Sequence, residues 1–340
     1  MMNFWKSLKI AAASFAITGT VTVMGQDPQL SQYYNAPMYL NPALTGTGQT
    51  SRVIFNYRNQ WPGIGQSFTT VALSADHDFQ PINSGVGLMI LRDRQPGNLT
   101  TTQISPSYSY QVNLSKNWVF RPAIQPSFVT RSTDFSGYTF GDQLGTGNAS
   151  GTQDKFVLNA GRIYYFDMGA GGIFYNENLW IGLAFNHMNL PNQSFYGDRI
   201  SLPMKTSIHG GYRFVLDKSK DFRYEKKPKE RSITPTFNFK HQGKFDQLDL
   251  GTYFTYEPVM LGVWYRGIPI KQFEGQPNNE SLIFLAGLTY SGFTFCYSYD
   301  LTISKLSGQS GGAHEISMIY EWKYPYRKKP MKRLPCPDFK

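Results

Sequence analysis

Charge, cysteine and helix-forming runs are all scarce in this chain of 340 residues. Only 16% of the residues are charged, and the Ala-, Glu- and Leu-rich stretches that fill helices are few, which excludes a mainly helical fold. Two cysteines, Cys296 and Cys336, are too few for a disulfide scaffold. Beyond Gln26 no stretch approaches the roughly 18 to 20 continuous apolar residues that a membrane helix needs. The five histidines, His77, His187, His209, His241 and His314, are scattered without the close pairing of a zinc site.

What is abundant is aromatic residues and glycine: 22 Tyr, 25 Phe and 32 Gly, a composition of strands and turns. The stretch LTYSGFTFCYSYD shows the pattern. After a turn at Ser291-Gly292, Phe293, Phe295, Tyr297 and Tyr299 alternate with Thr294, Cys296, Ser298 and Asp300. One face is apolar and one polar, which fits a half-buried sheet and a membrane barrel alike.

At the N-terminus, Lys6 and Lys9 precede an apolar run from Ile10 to Met24, and Val23 and Gly25 are small residues before a cut ahead of Gln26. This reads as a signal peptide over residues 1–25, and no cysteine follows it to make a lipoprotein. Residues 26–50 carry Pro28, Pro37 and Pro42 and suit no membrane strand. They are expected either to plug a barrel lumen or to run along its periplasmic rim.

Alternation and turn signals predict about fourteen strands between residues 51 and 322, among them Lys155 to Tyr175, Pro258 to Arg266 and Ser281 to Tyr290. If sequence neighbours pair antiparallel, the short turns at Gln80 to Asn83, Asn176 to Asn178 and Ser291-Gly292 fall on one side. The long loops at Arg131 to Asp154, Met188 to Met204, Gly267 to Glu280 and Leu301 to Gly312 fall on the other. Two connections break the trend, the charged linker from Asp217 to Arg231 on the short-turn side and the brief turn from His241 to Lys244 on the long-loop side. The segregation of the rest, with an even strand count, predicts an outer-membrane antiparallel β-barrel rather than a soluble sandwich. Trp118, Trp180 and Trp322 lie near the short-turn side and Trp61 and Trp264 near the long-loop side, as two interfacial girdles would. The formal charge of +10 is concentrated in the signal, the linker from Asp217 to Arg231 and the tail at residues 323–340, so the barrel body is close to neutral. The Phe293 to Tyr299 face is therefore assigned to lipid, with Thr294, Ser298 and Asp300 facing the lumen.

The runs QDPQLSQYYNAPMYLNPALTG, YRNQWPGIG, NSGVGLMILRDR, FGDQLG, YNENLWIGLAFNHMN, LPMKTSIHGGYRF, QGKFDQLDLGTYFTYEPVMLGVWYRGIPI, CYSYDLTIS, GGAHEISM and LPCPDF cover nearly the whole mature chain in order. In them the chain resembles the PorP/SprF family of outer-membrane proteins, associated with type IX secretion and gliding in Bacteroidetes. The resemblance implies a single barrel in the outer membrane, without enzymatic motif or cofactor. It also implies two kinds of partner: periplasmic secretion components, and exported cargo such as a large adhesin with a C-terminal targeting domain. A passive porin or small-solute transporter is the alternative that the strand pattern equally allows.

Candidate sites follow from chemistry and placement. Arg58 with Trp61, and Arg266 with Trp264, place anchor-type side chains at the outer lip and are expected to contact cargo. Arg327, Lys328, Lys329, Lys332 and Arg333 in the basic tail are expected to meet an acidic periplasmic partner. Without stacking aromatics or a recognised fold, that tail gives no case for nucleic acid. In ADHDF, Asp76 and Asp78 share a face opposite His77 near the periplasmic end, which argues against a protease site at the outer lip and for a polar strand end. In MGAGGIF the glycines precede no helix, so close strand contact explains them better than phosphate binding.

Overall fold

The computed structural model describes residues 27–48, 50–135, 139–140, 142, 161–195, 198–218, 230–273, 276–304 and 307–322. The expected signal peptide and the basic tail with Arg327, Lys328, Lys329, Lys332 and Arg333 lie outside them.

The sheet runs β1 (Arg52–Gln60), β2 (Phe68–Phe79), β3 (Ser84–Gln95), β4 (Leu99–Tyr110), β5 (Val112–Asn113), β6 (Val119–Thr133), β7 (Arg162–Tyr175) and β8 (Leu179–Asn186). It continues as β9 (Lys205–Tyr212), β10 (Phe214–Lys218), β11 (Glu230–Gln242), β12 (Phe245–Tyr256), β13 (Val259–Phe273), β14 (Gln276–Tyr290), β15 (Phe293–Thr302) and β16 (Ala313–Glu321). Each pairs antiparallel with its neighbours; β5 and β10 merely prolong β4 and β9, which leaves fourteen spanning strands. Pairing of β1 with β16 and of β9 with β11 closes the cylinder, so each of the fourteen spanning strands has a neighbour on both sides. Among the described residues no helix is long and apolar enough to cross a membrane.

Alternation decides which face each residue takes. On β15, Phe293, Phe295 and Tyr297 are exposed while Thr294, Cys296, Ser298 and Asp300 are buried. Phe55, Leu73, Leu88, Phe128 and Leu261 continue the apolar outer face, whereas Asn56, Ser74, Ser107, Thr234 and Ser317 line the inside. A polar interior with an apolar exterior is the arrangement of an outer-membrane barrel. The chain is a fourteen-stranded antiparallel barrel of this type.

Three expectations need correction. Gly267 to Glu280 is no long loop: β13 continues to Phe273 and β14 begins at Gln276, making a hairpin that prolongs the wall. The strand expected from Lys155 begins at Arg162, and residues 155–160 fall outside the described set. Trp180 and Trp264 are not interfacial girdle residues. Both are 1% exposed and point into the barrel, where Trp264 lies edge-on to Tyr253 at 4.4 Å between ring centroids and Trp180 edge-on to Tyr34 at 5.8 Å. Facing strands make room for them: a Cβ at Gly251 would meet Trp264 Cδ1 at 2.0 Å, and one at Gly211 would meet Trp180 Cη2 at 2.5 Å.

Candidate functional site

The barrel is filled by its own N-terminal segment. Proline and asparagine shape it into three short helical turns, Tyr33–Asn35, Pro37–Leu40 and Pro42–Leu44. Pro37 and Pro42 open the second and third, where a missing N–H costs nothing, and Asn41 Oδ1 accepts from Ala43 N at 2.9 Å as a cap. Nearly every residue from Leu30 to Leu44 is buried. The wall is carved to receive them: at Gly171 a Cβ would stand 2.1 Å from Asn41 Oδ1, so the plug approaches this glycine of MGAGGIF closely, while Gly169 and Gly172 lie against residues of the neighbouring strands.

Polar contacts fix the plug at three heights. At the short-turn end Asp76 accepts from Gly46 N at 2.5 Å and pairs with Arg52 at 2.7 Å. Asp78 lies 3.6 Å from Arg121, whose Nε donates to Ser109 at 2.9 Å. Asp76 and Asp78 indeed share the inner face while His77 points out, and Asp76 of this cluster anchors the plug.

Higher up lies the densest cluster of charge. Glu315, 0% exposed, accepts from Ser31 N at 2.7 Å and Gln32 N at 3.0 Å. Ser31 Oγ donates to Asp300 at 2.6 Å and accepts from Arg58 at 2.8 Å and Arg266 at 2.9 Å. Arg58 pairs with Asp300 at 2.9 Å and Glu315 at 3.2 Å; Arg266 pairs with Asp249 at 2.8 Å and Asp300 at 3.0 Å. Buried charges of this kind persist only when paired and hydrogen-bonded, and the serine hydroxyl of the plug completes the set.

These distances overturn the expectation of a cargo surface at three of its four residues, Arg58, Trp264 and Arg266. Arg58, Trp264 and Arg266 are 2%, 1% and 0% exposed and face the lumen, because their strand parity is the inner one and their polar atoms are bound there. Trp61 alone sits at the mouth, half-buried and edge-on to Phe68 at 5.6 Å.

At the mouth, Asp27 lies 2.9 Å from His187 Nε2 and 2.5 Å from Lys205 Nζ, and His187 Nδ1 lies 2.8 Å from Asp167. Burial disfavours charge on both Asp27 and His187. For Asp27 the neighbouring His187 and Lys205 outweigh burial and hold its carboxyl well below the usual value. For His187, Asp27 and the hydrogen bond to Asp167 outweigh burial and raise it to about 9. The raised histidine contributes stability that is complete below its ordinary value of about 6.5 and is lost as pH rises through about 9. The depressed carboxylate contributes stability that is present above its ordinary value of about 3.9 and lost as pH falls through its folded value. The mouth contact is thus strongest between these limits. Asp27→Asn is expected to return the His187 pKa toward about 6.5, measured by NMR of the imidazole; an unchanged value would remove Asp27 as its cause.

The plug partners could not be found from sequence, since Ser31 and Glu315 are 284 residues apart. Among the described residues no cluster of His, Cys, Asp and Glu could hold a metal ion.

A family model described as "Type IX secretion system membrane protein PorP/SprF" matches residues 22–320. No curated protein matches the chain. Among solved structures it is similar to the toluene transporter TbuX of Ralstonia pickettii, with 9% identity over 84% of this chain and 92% of that one and a TM-score of 0.44. It is also similar to the outer membrane protein Omp33 of Acinetobacter baumannii, with 4% identity, 81% and 100% coverage and a TM-score of 0.43. A triple mutant of the Rhodopseudomonas blastica porin gives 7%, 80%, 98% and 0.34.

Proposed function

Because the chain belongs to the PorP/SprF family of type IX secretion membrane proteins, we propose that it serves secretion by holding partners at the outer membrane and carries out no reaction of its own. One observation supports this reading over a passive porin: the lumen is occupied from Asp27 at the mouth to Gly46 at the short-turn end by a segment bonded to the wall at each level. A barrel so filled acts through its rims. The outer one leaves apolar side chains open to a partner, Ile64 at 48%, Ile200 at 51% and Ile270 at 93% exposed. Cargo, such as a large adhesin bearing a C-terminal targeting domain, docks there, and periplasmic secretion components dock at the opposite rim. Display of such an adhesin would connect the protein to gliding.

A mild-detergent pull-down of the tagged protein from its host, with mass spectrometry of what is retained, tests this. Recovery of one very large exported protein is expected if the barrel is dedicated to a cargo, and recovery of periplasmic ring and lipoprotein components without cargo if it is a core part of the apparatus. Recovery of neither would sink the proposal.

A further inference from the structure

Between the head of the plug and strands β11 to β14, at the outer mouth, lies a cavity of about 180 Å³. It is apolar at Leu30, Leu40 and Phe245, and five charged residues line it. Asp27 and Lys205 are paired with each other and Asp246 is paired with Lys271 and His241, which leaves one ammonium and one carboxylate, Lys240 and Glu280, without a close ionic partner among the described residues. Each is only loosely engaged by the wall. Lys240 Nζ stands 3.6 Å from Asp249, and Glu280 stands 3.8 Å from Arg266; neither side chain has a hydrogen bond among the described residues.

The backbone is bent to bring Glu280 there. In the ladder between β13 and β14, Arg266 faces Ser281 and Gly267 faces Asn279, so Glu280 is the extra residue of a bulge. Bulges re-aim a side chain out of the strand alternation, and they concentrate at barrel rims and beside sites. Gly267 permits the bulge: its φ is +148°, and a Cβ would stand 2.5 Å from Asn278 O. Polar valence is also left over around the cavity. Gln29 Oε1, on its wall, is buried without a hydrogen-bond partner among the described residues. Buried polar atoms are ordinarily satisfied, so an acceptor left open on a cavity wall marks a place that meets a polar molecule.

We propose that this cavity binds a small zwitterion, a free α-amino acid with a short aliphatic side chain. Its carboxylate meets Lys240, its ammonium meets Glu280 and Gln29 Oε1, and its side chain lies on Leu30, Leu40 and Phe245. The size agrees, since an apolar cavity of about 150 Å³ accepts benzene and leucine is a little larger. Opposite charges on facing walls select against a ligand carrying only one of the two groups, which would leave the other wall charge unpaired. The inference is independent of which partners the rims hold.

Isothermal titration of the purified full chain in detergent with leucine, isocaproate and isoamylamine tests it. Leucine is expected to bind saturably and at least about tenfold more tightly than either single-charge analogue, and Lys240→Met and Glu280→Gln are each expected to weaken leucine about tenfold or more. Both variants are checked for folding by heat-modifiable gel mobility; Glu280, with its side chain 34% exposed, lies where substitution disturbs the wall least. Absent leucine binding, equal binding of all three probes, or folded Glu280→Gln barrels that bind leucine as the parent does would each overturn the proposal.

Discussion

Deleting residues 26–45 is expected to turn a closed barrel into a conducting one. The segment fills the lumen with Tyr33, Tyr34, Met38, Leu40 and Leu44, all buried, and its removal admits water to an inner wall of serine, threonine and asparagine side chains. Arg58, Asp300 and Glu315 lose their Ser31 and Gln32 partners but gain solvent, so the cost of unpaired buried charge falls on an aqueous rather than a dry interior. In planar bilayers the intact protein should show only baseline current and the deleted form discrete, long-lived openings. Equal conductance of the two would mean that the plug is not the barrier, and would restore the porin reading.

The second large effect is at Arg266. Its guanidinium is 0% exposed and bonds Asp249, Asp300 and Ser31 at once. Arg266→Met keeps the volume and removes the charge, leaving Asp249 with Lys240 at 3.6 Å as its remaining cation. Breaking a buried pair by deleting one partner costs about 3–5 kcal/mol, and a loss of that order is expected in urea unfolding of the folded barrel. Asp300 keeps Arg58, so the second substitution Asp249→Asn in the Arg266→Met background should recover part of the loss. A single variant as stable as the parent, or a double variant less stable than the single, would show that the cluster is not held together as its distances imply.

Much of the fold was legible because alternation is a local signal. The parity of β15 can be read from LTYSGFTFCYSYD alone, and the structure places Phe293 outward and Asp300 inward as that parity requires. The same logic, applied to GVWYRGIP, would have found the lumenal pair: Trp264 and Arg266 share a face, an arginine within a spanning strand belongs inside, and Gly262 and Gly251 leave room for the indole. Reading the tryptophans by their distance from strand ends, rather than by face, misplaced Trp180 and Trp264. The extended hairpin at β13 and β14 was missed for another reason. Gly267, Pro269 and Pro277 read locally as loop, whereas in the structure a bulge absorbs the first of these and the ladder resumes beyond it.

The plug was legible only as a segment unfit for a strand. Whether it lay in the lumen or on the rim depended on partners such as Asp300 and Glu315, which no local pattern connects with Ser31 and Gln32.

Residues 27–48 are synthesised before any wall strand, yet Ser31 and Gln32 bond to β15 and β16, the last strands made. The β1–β16 seam is formed between the first and last strands of the sequence. If that seam closed on an empty cylinder, some twenty residues with bulky tyrosines would have to be threaded lengthwise through a finished pore. Laying the segment against an open sheet and then joining β16 to β1 avoids the passage. The geometry favours an order of biogenesis in which the interior is packed first, the seam closes last, and Glu315 on the closing strand engages the Ser31 and Gln32 amides as the gap disappears.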